Sequence, residues 1–559
     1  MAEIRLRPWQ SDAIRKAINW WLAEQADSRF LLNVAPGAGK TICACVLAKE
    51  LLDRNEIQRV VVIAPRTEVV RQWGDEFKKV TGEYMSKISG PDLDITDSGL
   101  DICATWHAVE GLEDAFQVIC RKHETLVICD EYHHAAIEAT WGIGANKSFA
   151  DAKYRLLLSG TPIRTDGKET VAHDDEGVID ISEGGTYSLT YGEAVNLKYC
   201  RPATFHRHAG TFDVVLPDAQ KITVSSKNKG KFPESFDRIE GLKDALNFYK
   251  LTCTIRYAKD GKTPDIDSYQ ATMLQSGIQK LDEAREVLPS AGGLVIARNI
   301  KTAEHMKKLL EMMGERPIIV HSETPNPEER IARFRNTDAR WIVSVGMISE
   351  GVDIPRLRVL VYLPSSQTEL TFRQSMGRVV RTFGHDDISH AYVIMPSILT
   401  FEDYALRVEE EMRAAGVQTE FFDFKICPQC ENRCTKKARK CESCGHEFKV
   451  RPPLFKECPE CKIKNPVTAG ACQNCGREFV STQKFEITLR DALRDGAIIR
   501  GMYVDEDTVQ VGEEIKNEFR RKIKESGNES LIEILSLLPP EAYGQLVDIV
   551  NQSRKSNDV

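Results

Sequence analysis

Residues Ala35–Thr41 have the types and spacing of a loop that binds phosphate groups. They follow the apolar run Phe30–Val34 and precede the apolar stretch Ile42–Ala48, an order that predicts strand, glycine-rich loop and helix. Glycines let backbone N–H groups approach phosphate oxygens, and the helix start adds its dipole. Lys40 would reach the β- and γ-phosphates of ATP, and Thr41 would ligate Mg²⁺. The residues predicted to hold the phosphates through the backbone are Gly37, Ala38 and Gly39.

Two further pairs of charged residues could complete this chemistry. Asp130 and Glu131 follow the apolar run Leu126–Cys129, where Asp130 would hold Mg²⁺ and Glu131 would polarise the attacking water. The alternative interpretation of this acidic pair is an ordinary solvated strand end, and the presence of the phosphate loop upstream argues against it. Arg378 and Arg381 are spaced for one helix face and suit the charge that develops on a γ-phosphate during transfer.

Two other motifs could serve the same site. Ser159 and Thr161 end the next apolar strand, where their hydroxyls could couple hydrolysis to movement, although a plain strand-to-turn connection is the alternative. Gln10 precedes the first predicted helix, where its amide could read the N6 and N7 edge of adenine.

The elements that must position these residues follow an α/β pattern, with short β-rich runs alternating with amphipathic helices. Each predicted strand of the first half ends at a candidate functional loop, as expected when ligands gather at the carboxyl ends of parallel strands. These strands are Phe30–Val34, Val60–Ala64, Asp101–Ala104, Thr125–Cys129 and Arg155–Leu158. A second α/β run is predicted from Gly292–Ala297, Pro317–Val320, Trp341–Val345 and Val359–Leu363.

The chain of 559 residues is long enough for several domains. The predicted divisions are a first lobe at 1–202, a connector with an accessory helical element at 203–290, a second lobe at 291–400, a helical bridge at 401–425, cysteine-rich segments at 426–450 and 457–480, and a helical C-terminal region at 481–559.

The composition is ordinary for a soluble globular protein, with 42% hydrophobic and 28% charged residues. No apolar stretch reaches the ~20 residues of a membrane span, and the N-terminus carries no apolar signal region, so we expect a cytoplasmic protein with no membrane partner. The formal net charge of −8 argues against a wholly basic nucleic-acid coat but leaves room for a basic cleft.

Nine of the 16 cysteines lie between Cys427 and Cys475. A Cys-x₂-Cys pair, ten residues and a second Cys-x₂-Cys pair occur twice, offset by 31 residues, which is the spacing of zinc ribbons. Disulfides are the competing interpretation, but a cytosolic chain would keep them reduced. The sequence predicts two Zn²⁺ sites, and Cys434 lies outside both. Their ligands would be Cys427, Cys430, Cys441 and Cys444 for the first, and Cys458, Cys461, Cys472 and Cys475 for the second.

In combination these motifs resemble the superfamily 2 DExH-box helicases, over roughly Leu6 to Pro396. The similar motifs are Arg7-Pro8-Trp9-Gln10, the Ala35–Thr41 loop, Ala64-Pro65-Arg66, Asp130-Glu131-Tyr132-His133, Ser159-Gly160-Thr161, Gly346–Pro355 and Gln374–Arg381. The chain is similar to the subgroup that contains the type III restriction motor subunits, and its zinc ribbons also resemble those of RadD-like repair ATPases. The resemblance implies an α/β fold of two tandem RecA-like lobes.

The resemblance also implies roles for residues that the spacing alone does not assign. Arg7 and Gln10 would contact the nucleotide from the first lobe, Gly351 and Asp353 would contact it from the second, and Gln374 would lie beside the γ-phosphate. The residues expected to meet the nucleic-acid backbone are Arg66, Thr105 and Ser322. Val380 departs from the family, which often has glycine there.

The leading hypothesis is an ATP-driven DNA translocase or helicase in repair, recombination or defence. A nucleic-acid-gated ATP switch or remodeller, and a restriction or defence motor whose nuclease lies on another chain, are the alternatives. The Asp-Glu-Tyr-His box favours DNA over RNA by resemblance. The interval Pro355–Gln374 has room for only one strand and no duplex-splitting hairpin, so weak unwinding is expected. The zinc ribbons or C-terminal helices could bind a protein partner.

Overall fold

The computed structural model describes most of both lobes and parts of the C-terminal segments. The described residues are 5–25, 27–65, 67–89, 95, 101–132, 148–160, 183–216, 221–226, 242, 246–345, 354–382, 387, 389–410, 424–427, 430, 432–435, 440–446, 455–457, 464–466, 486–499, 501–525, 527, 539 and 541–547.

The first lobe is built on a seven-stranded sheet whose neighbouring strands all run parallel. Its strands are β1 (Arg29–Val34), β2 (Arg59–Ala64), β3 (Met85–Ile88), β4 (Asp101–Thr105), β5 (Thr125–Asp130), β6 (Tyr154–Ser159) and β7 (Thr186–Leu189), in the order β3-β4-β2-β5-β6-β1-β7. All five predicted strands are present. The sequence missed β3 and β7, which lie at the two edges of the sheet.

Helices cover this sheet, and their apolar faces account for its burial. They are α1 (Pro8–Ile18), α2 (Lys40–Asp53), α3 (Thr67–Thr81), α4 (Trp106–Gly111), α5 (Glu113–Lys122) and α6 (Tyr191–Asn196), with a π-helical turn at Asn19–Glu24. Every residue of β2 is buried, as expected for a central strand of a parallel sheet. Alternate residues of β2 belong to separate core clusters, Val60 and Val62 to one and Val61 and Ile63 to the other, because side chains alternate between sheet faces.

The second lobe contains a nine-stranded sheet. Its strands are β8 (Ala203–Val215), β9 (Lys221–Ser225), β10 (Gly292–Ile296), β11 (Ile318–Val320), β12 (Trp341–Ser344), β13 (Leu357–Tyr362), β14 (Ala391–Pro396), β19 (Glu486–Ile499) and β20 (Met502–Val504). The order is β11-β12-β10-β13-β14-β8-β19-β20, with β9 paired to β8. The helices in and after this lobe are α7 (Phe248–Thr252), α8 (Tyr269–Val287), α9 (Ile300–Met312), α10 (Pro327–Asn336), α11 (Glu369–Met376), α12 (Leu399–Glu410) and α13 (Glu506–Glu525).

Two segments differ from the sequence prediction. Residues 203–290 were expected to form a connector with an accessory helical element. The segment contains α7 and α8, but β8 is an interior strand of the second sheet and pairs in parallel with β14. Residues 481–559 were expected to be helical, which is true of α13, but β19 pairs along β8 in antiparallel fashion. Two register shifts, between Leu489 and Asp491 and between Arg494 and Ala497, break the alternation of apolar residues in β19 and hide the strand in the sequence.

The cysteine-rich region contains two short antiparallel hairpins. The first pairs β15 (Phe424–Ile426) with β16 (Arg433–Thr435), and the second pairs β17 (Phe455–Glu457) with β18 (Lys464–Pro466). Corresponding strands begin 31 residues apart, which is the offset of the cysteine repeat. The backbone therefore repeats along with the sequence.

A buried ionic cluster fastens the C-terminal segment to the second lobe. The ammonium of Lys280 on α8 is 2.6 Å from the carboxylate of Glu541 and 2.5 Å from that of Glu513 on α13. His206 on β8 lies 3.2 Å from Glu541, which is fully buried. Although burial acts to lower it, the carboxylates of Glu541, Glu283 and Glu513 raise the pKa of Lys280 well above its ordinary value. The cluster explains how a lysine and a glutamate can both be charged inside this lobe.

We expect Lys280→Met to destabilise the second lobe strongly. Removing one partner of a buried ion pair leaves uncompensated carboxylates, which costs about 3–5 kcal/mol. Urea denaturation of the transition that includes this lobe measures the loss. Lys307→Met is the control, since Lys307 makes only a surface pair with Glu311 on α9 and should change the free energy of unfolding by about 0.5 kcal/mol or less. Equal effects of the two variants would contradict the prediction.

Within the described residues, no helix combines the length and apolar character needed to cross a membrane.

Candidate functional site

The strands that carry the predicted site are neighbours in the first sheet. β1, β6 and β5 lie side by side, with Asn33 opposite Ser159 and Asp130 opposite Leu158. Because these strands are parallel, their carboxyl ends meet at one edge of the sheet. The phosphate loop, the acidic pair and Ser159 are therefore brought together there, as the sequence predicts.

The loop after β1 has the backbone conformation that its glycines allow. Gly37 and Gly39 have φ angles of 86° and 103°, in the left-handed region that residues with a Cβ rarely adopt. Gly39 is the N-cap of α2, so Lys40 and Thr41 form the first turn of that helix. Backbone N–H groups at this helix start are suited to anionic oxygens.

Lys40 lies at the centre of the charged groups of the site. Its Nζ donates to the carbonyl of Val34 at 2.9 Å. Burial lowers the pKa of Lys40, and among the neighbouring charges Glu131 and Asp130 act to raise it while Arg381 and Arg378 act to lower it. All five candidate catalytic residues are thus close enough to interact electrostatically.

The acidic pair at the end of β5 has two distinct environments. Burial and the neighbouring charge of Glu131 raise the pKa of Asp130 to about 6. The indole of Trp73 on α3 donates to the Asp130 carboxylate at 2.8 Å and orients it. Glu131 has a φ of 48°, a strained conformation for a residue other than glycine that turns the chain sharply after the strand.

The donor set fits Mg²⁺. The carboxylate of Asp130 and the hydroxyl of Thr41 are oxygen ligands of the kind that Mg²⁺ takes together with substrate phosphates. A cation would also favour the charged form of Asp130, whose pKa burial raises.

Gln10 and Arg7 connect α1 to the phosphate loop. The Gln10 amide donates to the carbonyl of Gly39 at 3.0 Å and accepts from the backbone N–H of Arg7 at 2.8 Å. The guanidinium of Arg7 donates to the carbonyl of Ala38 at 2.8 Å and stacks over the ring of Tyr199. Gln10 therefore supports the loop backbone here, a contact that the predicted adenine role did not include.

The second lobe closes the site from the opposite side. The backbone of Gly37 lies so close to Arg381 that a Cβ atom added to this glycine would be 2.7 Å from Cγ of Arg381. In the same way, a Cβ atom added to Gly377 would be 2.5 Å from Cβ of Pro36. Gln374, in α11, is buried, as is Arg378. Arg71 on α3 of the first lobe also forms an ion pair with Glu328 on α10 of the second. Arg381 is therefore brought against the phosphate loop, and Arg378 is close enough to lower the pKa of Lys40. The two arginines were predicted to share a helix face, but α11 ends at Met376 and both lie beyond its end.

Other predicted residues lie elsewhere or serve other roles. The hydroxyl of Thr105 accepts from the N–H of Ala108 at 3.2 Å and caps α4, and Thr105 itself is buried. Ser322 is exposed beyond the end of β11, and Ser159 is fully buried. The predicted residues Arg66, Thr161, Gly351 and Asp353 lie outside the described residues.

The first cysteine quartet converges on one point. The sulfur atoms of Cys427, Cys430, Cys441 and Cys444 all lie within 4.8 Å of one another. The sulfur atoms of Cys427 and Cys444 are 3.6 Å apart, and those of Cys430 and Cys441 are 3.5 Å apart. These distances are close to the separation of about 3.8 Å that sulfur ligands have around tetrahedral zinc with Zn–S bonds of about 2.3 Å. A disulfide would need about 2.05 Å.

The backbone and electrostatics of this quartet also fit a metal centre. Gly445 has a φ of 69°, and its N–H donates to the carbonyl of Cys441 at 2.8 Å, which makes the tight turn of a knuckle. Although burial acts to raise it, the N–H groups of Cys444 and Ser443 and neighbouring thiols lower the pKa of Cys441 to about 6. Such a thiolate suits Zn²⁺. The second quartet, Cys458, Cys461, Cys472 and Cys475, lies outside the described residues.

The sequence missed two residues of the ATP site. Trp73 contacts Asp130 from a helix 57 residues upstream, and no local pattern marks it. Pro36 is held between the lobes, since Cβ atoms on Gly160 and Gly377 would both come within 3 Å of its ring. The glycines of the Gly160-Thr161 and Gly377-Arg378 motifs were the available sequence signal for this contact, because another residue can approach a backbone this closely only where there is no side chain.

Two lobes, one on a parallel sheet and one on a largely parallel sheet, with a phosphate loop in the first and arginines supplied by the second, define a helicase-type nucleotide-binding protein. The family described as "Type III restriction enzyme, res subunit" matches residues 3–164, and that described as "Helicase conserved C-terminal domain" matches residues 278–383. Two domains of the superfamily 2 helicase type therefore occupy these residues, and the first is similar to the motor subunits of restriction enzymes.

Several curated proteins are similar to the chain. The uncharacterized protein ML1624 of Mycobacterium leprae is 29% identical over 411 residues, covering 73% of this chain and 64% of that protein. The uncharacterized protein Rv2917 of Mycobacterium tuberculosis is 30% identical over 382 residues, 67% of this chain and 59% of that protein. The DNA 3'-5' translocase XPB2 of Sulfurisphaera tokodaii is 23% identical over 399 residues, covering 68% of this chain and 79% of that protein. The chain thus spans less than two thirds of the two mycobacterial proteins.

Proposed function

We propose that this chain is a nucleic-acid-dependent ATPase that translocates on DNA or remodels it, in repair, recombination or defence. The observation that carries the proposal is the approach of Arg381, from the second lobe, to Gly37 in the phosphate loop of the first. A site divided between two lobes is completed only when the lobes close, so nucleotide turnover can drive their relative movement. The family assignment supports the same activity.

Each residue then has a defined task. Lys40 and the backbone of Gly37–Gly39 bind the phosphates, and Glu131 orients the attacking water. Arg378 and Arg381 stabilise the charge that develops in transfer. Mg²⁺, held by Thr41 and Asp130, would neutralise phosphate charge. Ser159 and Thr161 would couple turnover to movement, and Gly351, Asp353 and Gln374 would contact the nucleotide from the second lobe.

DNA is the proposed polymer. The similarity to a protein named as a DNA 3'-5' translocase supports DNA over RNA. Exposed Ser322, together with Arg66, would contact the phosphate backbone, whereas Thr105 would contribute through the helix that it caps. The type III restriction match equally supports a motor subunit of a restriction or defence complex, with the nuclease on another chain.

One observation favours remodelling or translocation without processive unwinding. Residues 354–376, all of them described, contain β13, a loop and α11, and they form no hairpin that could separate a duplex. A wedge would have to come from another segment or a partner protein. Forked and blunt duplexes should therefore stimulate ATP hydrolysis while being unwound weakly by the isolated chain.

ATPase assays with single-stranded DNA, duplex DNA, forked DNA and RNA test the proposal. We expect stimulation by DNA, and loss of it in Lys40→Ala, which removes the phosphate-binding charge. Lys49→Ala is the matched control, because Lys49 lies on the same helix and only pairs with Asp53 at the surface. ATP hydrolysis that no nucleic acid stimulates, or that survives in Lys40→Ala, would refute the proposal.

We also propose two Zn²⁺ ions per chain, one in each cysteine quartet. The convergence of the four sulfurs in the first quartet and the 31-residue repeat of the hairpins support this stoichiometry. The ribbons would be structural or would contact nucleic acid or a protein partner.

Elemental analysis of the purified protein should find two zinc ions per chain. Cys441→Ser should lose one of them, because three thiolates bind Zn²⁺ less tightly than four. Cys434→Ser is the control, since Cys434 lies in the same hairpin region but outside the quartet, and it should retain both. Absence of zinc, with the eight cysteines of the two quartets freely titratable in the native protein, would rule out the sites.

A further inference from the structure

The segment that joins the two lobes, residues 197–202, is called the interlobe segment, and it runs beside the turn that carries Arg378 and Arg381. The N–H of Arg201 donates to the carbonyl of Val380 at 2.7 Å, and the hydroxyl of Thr382 donates to the carbonyl of Tyr199 at 3.3 Å. Cys200 and Arg381 form an antiparallel bridge between the two strands of chain. The interlobe segment and the arginine turn, residues 378–382, are thus paired through their backbones.

The side chain of Arg201 extends this connection into the second lobe. Its guanidinium is fully buried and donates to the carbonyls of Val379 at 2.8 Å and Leu357 at 2.7 Å. It also donates to the carboxylate of Asp387 at 2.6 Å. Because Leu357 begins β13 and Val379 belongs to the arginine turn, one guanidinium ties the turn to the sheet.

Asp387 balances the charge of this arrangement. Its carboxylate also accepts from Arg358 at 3.0 Å and from the N–H of Ser389 at 3.0 Å. Burial lowers the pKa of Arg201 to about 10, an effect that Asp387 opposes. Burial and the neighbouring Arg201 lower the pKa of Arg358 to about 8. The carboxylate of Asp387 therefore stabilises the charged form of both guanidiniums.

The same segment contacts the phosphate loop on its other side. The thiol of Cys200 lies 3.4 Å from the carbonyl of Pro36, and the ring of Pro36 packs against Gly377, the residue that immediately precedes the arginine turn. Consecutive residues of the interlobe segment thus contact the loop that would bind phosphate and the turn that would supply the arginines.

We propose that Arg201, held by Asp387, is a positioning residue that fixes Arg378 and Arg381 against the phosphate loop. It touches no reacting atom. Its guanidinium acts through the carbonyl of Val379, and its backbone N–H holds the carbonyl of Val380. The proposal rests on the proposed ATPase function and assigns the segment between the lobes a role in the rate of transfer. Its effect should fall on kcat rather than on nucleotide affinity.

Arg201→Lys tests this proposal with the charge retained. An ammonium lacks the planar fork and cannot keep the contacts with Val379, Leu357 and Asp387 together. Since misplacement of a catalytic group by about 1 Å can cost 10²-fold, we expect kcat to fall by about that factor while ATP affinity stays unchanged. Asp387→Asn should act in the same direction.

Arg356→Lys is the matched control. Arg356 is also buried in the second lobe, and burial likewise lowers its pKa to about 10, but it donates to the carbonyls of Phe334, Ala339 and Ser290, away from the arginine turn. The Arg356→Lys variant should be less thermally stable than the wild type and should have a kcat close to the wild-type value. Equal losses of kcat in Arg201→Lys and Arg356→Lys would reduce Arg201 to a general structural role and overturn the proposal.

Hydrogen–deuterium exchange gives a readout that does not require activity. Peptides covering 199–202 and 377–382 should exchange faster in Arg201→Lys than in wild type or Arg356→Lys. Unchanged exchange in Arg201→Lys would overturn the positioning role even if the wild type is an active ATPase. A wild type that hydrolyses no ATP would instead defeat the proposed function, with the exchange result still deciding whether Arg201 holds the turn.

Discussion

The Glu131→Gln variant is expected to bind ATP and to hydrolyse it about 10²–10⁴-fold more slowly than the wild type, the range typical for loss of a general base. Glutamine has nearly the same shape, so the strained turn after β5 should persist. It cannot accept a proton from water, so the nucleotide complex should accumulate with the lobes closed. Single-turnover hydrolysis and retention of labelled ATP measure the two effects.

Glu50→Gln serves as the control for this variant. Glu50 lies on α2, the helix that follows the phosphate loop, and its carboxylate only pairs with Arg54 at the surface. Turnover should be unchanged there. Wild-type turnover in a purified Glu131→Gln preparation would show that another group activates the water and that the site assignment is wrong.

Arg378→Ala and Arg381→Ala are expected to lower kcat by about 10³-fold or more, as is typical when an arginine that stabilises transition-state charge is removed. Their partner charge develops mainly during transfer, so ATP binding should change far less. Steady-state kinetics with saturating DNA, together with equilibrium binding of an ATP analogue, separate the two quantities.

Arg335→Ala is the matched control for the arginine variants. Arg335 is an exposed residue of α10 in the same lobe, and its loss should leave kcat unchanged. If Arg378→Ala and Arg381→Ala raised KM and left kcat intact, the second lobe would provide a wall for binding and would not take part in transfer.

The sequence was most informative where a function depends on local backbone geometry. The Gly37-Ala38-Gly39 run with Lys40 predicts both the loop and the start of α2, since positive φ angles and a helix N-terminus are encoded within a few residues. The acidic pair could be placed at the end of β5 because it follows a continuous apolar run. The cysteine spacing predicted the quartet that converges around Cys441 for the same reason of short range.

The sequence did not reveal which protein groups a polar side chain contacts in this fold. The Gln10 amide lies between Arg7 and Gly39, and the hydroxyl of Thr105 caps α4, contacts that the predicted adenine and nucleic-acid roles did not include. Neither contact can be seen in one sequence, because competing acceptors come from the chosen packing. β19 was hidden by its bulges, and only its long pairing with β8 makes it a strand.

The sequence alone determined the class of fold, the phosphate loop, the acidic pair, the arginines and the first cysteine quartet, because each depends on residues within one strand end, turn or knuckle. Only the tertiary structure decided that Trp73 orients Asp130, that Glu541 neutralises Lys280, and that Arg201 holds the arginine turn. These contacts join residues 57 to 261 positions apart. They form because buried polar groups must find partners wherever folding brings them, and no local pattern records which partner that will be.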